Sequence, residues 1–183
     1  RVDLPDTEAP EVSSELYVLV DETVVFNVPF QRHVNAKIQD FLEPGRRLVI
    51  VGFSARAEGR FSRVEIRGRL ETPLTEDQRY YIPKRKLQGI DACLQRKRQQ
   101  FPTAAARALA DIFNRAKSDL PRSEIAANMA RIGRDVIPRT NVTDDVHVLV
   151  VSDMMENSET VTFYANGRLR RIDPQAALAQ LEE

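Results

Sequence analysis

Leu16-Tyr17-Val18-Leu19-Val20, a run of five apolar residues closed by the polar cluster Asp21-Glu22-Thr23, decides the fold of this chain. The run is β-branched and aromatic and does not alternate with polar side chains. A strand of this kind is covered on both faces, as in the middle of a parallel sheet. Next, Phe30, Val34, Ile38, Phe41 and Leu42 recur at spacings of three and four, which predicts an amphipathic helix ended by Pro44-Gly45. Leu48 to Phe53 reads as a second buried strand. Phe61 to Leu70 alternates, with Val64, Ile66, Gly68 and Leu70 on one side and Arg63, Glu65, Arg67 and Arg69 on the other. That pattern predicts an antiparallel hairpin partner at the sheet edge, solvated on one face.

Further along, Leu87, Ile90 and Leu94 suggest a short helix between the basic clusters Lys84-Arg85-Lys86 and Arg96-Lys97-Arg98. Thr103 is placed to cap a helix with Leu109, Ile112, Phe113 and Ala116 inward. Ser123 is placed to cap another, with Ile125, Met129, Ile132 and Val136 inward and Pro138 as its stop. Val146 to Val151 reads as a third buried strand ending at Ser152-Asp153. A short strand over 160–164 is expected to turn at Asn166-Gly167, and a last helix starts at Asp173-Pro174. The segment 1–14, with acidic residues around Pro5 and Pro10, reads as a linker or N-terminal extension, and 15–183 as one α/β domain. Strands alternating with helices imply a three-layer fold: a mostly parallel central sheet, one antiparallel edge strand, and helices on both faces.

Composition narrows the partners. The 27 basic and 27 acidic side chains cancel, so no global field draws nucleic acid or an anionic membrane, and neither is expected as a partner. The basic clusters read as a solvated helix face. Cys93, the single cysteine, excludes an internal disulfide and a multi-cysteine zinc site, and is expected to be a small buried thiol. No apolar run is long enough to span a membrane as a helix. A leader cleaved before Arg1 would place the protein outside the cytoplasm; otherwise it is cytoplasmic. His33 and His147 neighbour no serine or cysteine nucleophile in a triad motif, and no glycine-rich phosphate loop is present.

In open α/β sheets, sites lie beyond the carboxyl ends of the central strands. That rule selects Asp21 to Thr23 and Ser152 to Asn157, both of which carry carboxylates. The order of elements and these two clusters resemble the von Willebrand factor A family from about Glu15 to Asn157. The resemblance implies a metal-ion-dependent adhesion site, in which Asp21 matches the Asp of the Asp-x-Ser-x-Ser loop and Thr23 its first hydroxyl. It further implies that Ser123 stands for the distant threonine and Asp153 for the distant Asp. Magnesium is the implied cofactor and a protein the implied partner. Val25 stands where the second serine belongs and supplies no ligand. The family pattern continues into a further strand and helix, which this chain lacks before Glu183.

The resemblance thus implies a non-catalytic protein-binding module. The alternative is a metal-dependent phosphohydrolase using Asp21 and Asp153. Haloacid-dehalogenase-type enzymes place a second Asp where this chain has Thr23, and need a lysine between Lys117 and Asp153, where none occurs. A structural assembly domain without metal is the third reading.

Overall fold

The computed structural model describes residues 12–54, 62–118, 123–136, 145–158, 161–165 and 168–182. The leading segment up to residue 11, the Pro138 stop and the turn at Asn166-Gly167 lie outside the described residues; of the strand expected over 160–164, residue 160 lies outside them too, and the strand observed begins only at Tyr164. Four strands form an open mixed sheet: β1 (Ser14–Asp21), β2 (Arg46–Phe53), β3 (Ser62–Arg69) and β4 (Val146–Val151), in the order β3-β2-β1-β4. β2 and β4 run parallel to β1, and β3 is antiparallel to β2. β1 is therefore the inner strand flanked by two parallel neighbours, and every one of its residues is buried. Its unbroken apolar run is what such a position requires.

Period-two alternation along β1 sends its side chains to two separate cores. Leu16, Val18 and Val20 join Leu48, Ile50 and Val151 on one face, under Val34 and Ile38 of α1 (Val28–Phe41) and Ala105, Leu109, Ile112 and Phe113 of α3 (Lys84–Arg115). Tyr17 and Leu19 join Val49, Val51 and Phe53 on the other, under Ile125 of α4 (Ile125–Arg131) and Ile132 of the π-helical turn Ile132–Val136. Each fully buried aliphatic side chain contributes about 1.5–3 kcal/mol of transfer free energy, so these two clusters hold the layers together. The remaining elements are α2 (Glu76–Tyr80), the two-residue strands β5 (Tyr164–Ala165) and β6 (Arg168–Leu169), and α5 (Pro174–Glu182). Among the described residues no helix is long and apolar enough to cross a membrane.

Several local expectations give way to tertiary context. The short helix around Leu87 and the helix expected to start at Thr103 are one helix of 32 residues with Pro102 inside it. Strong helix formers on both sides carry it through the proline. The Thr103 hydroxyl does not cap; it donates back to the Gln99 carbonyl at 3.2 Å. β4 was expected to be buried, yet Val148 is 45% exposed, because β4 is an edge strand among the described residues. Val64 in β3 and Met129 in α4 face solvent instead of the core, and Cys93 is exposed on the outer side of α3.

Candidate functional site

The site is built where β1 and β4 end. Asp21, the last residue of β1, is wholly buried and accepts four hydrogen bonds. Its Oδ1 takes the backbone N–H of Thr23 at 2.9 Å and the Thr23 hydroxyl at 2.6 Å. Its Oδ2 takes the hydroxyls of Ser123 at 3.0 Å and Ser152 at 2.8 Å. Three hydroxyls from three distant parts of the chain thus converge on one carboxylate, which satisfies a buried charge-bearing group that would otherwise be costly.

Strand parity explains the cast. Val20 pairs with Val151 in parallel register, so the next residues along, Asp21 and Ser152, point to the same face of the sheet. Asp153 lies beyond the end of β4 and lines the cleft above Asp21. It is exposed, and its Oδ1 accepts the Met155 N–H at 2.9 Å. The same parity separates Glu22 from Asp21: Glu22 turns to the α3 face, where Arg115 lies 3.2 Å away and also pairs with Glu65. Gly52 makes that possible, since a Cβ there would lie 2.3 Å from Oε1 of Glu22.

Ser123 was expected to cap α4, and it does not. Its backbone forms a two-bond antiparallel bridge with Asn157, at 3.1 and 2.9 Å, which leaves its hydroxyl aimed at Asp21. The first turn of α4 is served instead by Glu156, whose Oε2 accepts the N–H groups of Ile125 at 2.8 Å and Ala126 at 3.0 Å. A carboxylate at that end of a helix is also favoured by the helix dipole. The loop between β4 and Glu156 is shaped by Ser152, whose oxygen accepts the Met154 N–H at 2.9 Å. Met154 holds φ at 60°, a left-handed conformation uncommon for a non-glycine residue.

A cleft of about 490 Å³ opens above this cluster, lined by Thr23, Val24, Val25, Ser118, Ser123, Asp153, Met155, Asn157 and Tyr164. Three of the four residues selected from sequence, Thr23, Ser123 and Asp153, therefore share one cleft, with Asp21 beneath it. Among the described residues Asp153 is not hydrogen-bonded to Asp21; Ser152, which the sequence marked only as the start of the strand-end cluster, takes that place. Val25 borders the cleft and is 61% exposed. The donor set is all oxygen, which suits a hard cation such as magnesium and not zinc. Among the described residues no group of three His, Cys, Asp or Glu side chains is arranged to hold a metal, so any cation would depend on the hydroxyls.

Neither a family model, a curated protein nor a solved structure matches the chain.

Proposed function

We propose that this protein is a von Willebrand factor A-like, non-catalytic binding module that engages a protein partner at the carboxyl end of its sheet through a divalent cation of the magnesium class. The observation that carries this reading is the convergence of Thr23, Ser123 and Ser152 on Asp21. A hydroxyl that donates its proton to a buried carboxylate keeps lone pairs for a second partner. Thr23, Ser123 and Asp153 all line the same cleft. In this reading Thr23, Ser123 and Asp153 hold the cation, and Asp21 orients the hydroxyls without touching it. The cation supplies an electrophilic centre for an oxygen of the partner. Exposed Val25 and Tyr164 on the cleft offer the partner apolar contact.

A phosphohydrolase reading is less well supported. A nucleophilic carboxylate needs a free oxygen facing its substrate, and both oxygens of the buried Asp21 are engaged. Titration with magnesium or manganese, followed by thermal unfolding, tests the cation. The native protein should gain stability with saturating metal, and Asp153→Asn and Thr23→Ala should reduce or abolish that gain. No shift in the native protein, or an equal shift in both variants, sinks the cation reading. Asp153 is exposed, so its substitution leaves the fold intact and the comparison clean.

A further inference from the structure

The chain's zero net charge conceals a segregated distribution. Between Lys84 and Phe101 six basic side chains stand against one acidic, Asp91. This is the amino-terminal half of α3, whose buried residues begin only at Ala105. Asp91 is committed to Arg79 of α2 through two parallel bonds of 2.8 Å, and Lys97 leans toward Glu71 at 3.8 Å. Lys84, Arg85, Lys86 and Arg96 are exposed and have no ion pair among the described residues. Arg85 and Arg96 are three helical turns apart, so they share a face at a separation of about 16 Å.

Just ahead of the first turn of α3, at the end of α2, stand Tyr80 and Tyr81, 85% and 67% exposed, with ring centroids 5.3 Å apart in an edge-to-face pair. We propose that this tyrosine-ended basic face of α3 binds single-stranded nucleic acid. Lysine and arginine neutralise phosphates, and exposed aromatic rings stack on bases without regard to their identity. Gln88, Gln95, Gln99 and Gln100 are also exposed, adding amides that can meet base edges. An anionic lipid surface fits less well, because it calls for outward apolar residues between the cations. Here Leu87, Ile90 and Leu94 are half-buried and the fully exposed positions are polar or small. The three cations in the first turn of α3, with no acidic residue and no side-chain cap beside them, also oppose the helix dipole. A bound phosphate chain relieves that opposition.

The surface is separate from the cleft above Asp21, so the two can be tested independently. The measurement is fluorescence anisotropy of labelled oligo(dT) and oligo(U), each of about 20 nucleotides, against the full chain over a salt series. Lys84→Gln/Arg85→Gln/Lys86→Gln should weaken binding at least about tenfold and reduce the log–log salt slope by about 2. Tyr80→Ala/Tyr81→Ala should weaken binding about tenfold with the slope unchanged. Asp153→Asn should bind as the native protein does. The proposal is overturned by absence of binding at low salt, by affinity indifferent to both sets of substitutions, or by retention on phosphatidylserine vesicles without oligonucleotide binding.

Discussion

Ser152 and Asp21 sit side by side at the ends of adjacent parallel strands, and the Ser152 hydroxyl donates a 2.8 Å hydrogen bond to Oδ2 of Asp21. The same serine oxygen accepts the Met154 N–H, so one side chain ties the carboxylate to the loop that follows β4. Ser152→Ala should cost about 1–2 kcal/mol in urea unfolding. Combined with Asp21→Asn, the losses should fall short of additive, since both substitutions break the same bond. Strict additivity would show that the contact contributes nothing.

Glu156 is buried and one of its oxygens serves two N–H groups at the start of α4. Glu156→Ala should lower stability by about 1–2 kcal/mol, as loss of a helix cap does. Because Asn157, its neighbour, holds the Ser123 backbone, the Ser123 amide should also exchange faster with deuterium. Protection unchanged at Ser123 would separate the cap from the site.

Gly52 lies beneath the Glu22 carboxylate on the α3 face of the sheet. Gly52→Ala should displace the flexible end of Glu22 from Arg115 and cost about 1 kcal/mol, chiefly the lost ion pair. In a Glu22→Ala background the same substitution should be much less harmful, and a double-mutant cycle by chemical denaturation reads the difference directly.

The Tyr17 phenol is pushed up to about 12, first by burial and then by the charge of Glu15 beside it. A folded-state pKa above the unfolded value of 10.0 leaves stability intact below pH 10 and removes it as pH rises toward 12. The native protein should therefore lose about 2–3 kcal/mol relative to Tyr17→Phe across that window. A parallel decline of the two proteins in urea unfolding at pH 8 and at pH 11.5 would contradict this.

Val25 offers a gain-of-function test of the cation reading. Val25→Ser introduces a hydroxyl on the cleft that Thr23 and Ser123 also line. The manganese concentration that gives half the thermal shift should fall. A rise, or no change, would show that this position does not face the cation.

The buried run Leu16 to Val20 was sufficient, with its helix and hairpin neighbours, to predict an α/β sheet with an antiparallel edge strand, and that arrangement is observed. The strand-end rule for such a sheet marked Asp21 to Thr23 and Ser152 to Asn157 as places where polar residues can converge, whereas Ser123 was singled out as a site residue only by the family resemblance. Hydrophobic periodicity is local: it reports which side of its own element a residue takes, and so it marked β1, β2, α1 and the inward half of α3. What periodicity does not carry is the pairing between distant segments. Only the register of β4 on β1 set Ser152, not Asp153, against Asp21, and only the Ser123–Asn157 bridge turned Ser123 from a helix cap into a partner of that carboxylate. Likewise a chain total of zero is a sum over all residues, whereas the basic face of α3 exists because the fold leaves one half of that helix uncovered. The sequence determined the four strands of the sheet and the helix α1, since these depend on near neighbours. The tertiary structure decided which polar atoms meet, since that depends on strand register and on contacts more than a hundred residues apart, such as Asp21 with Ser123 and Ser152.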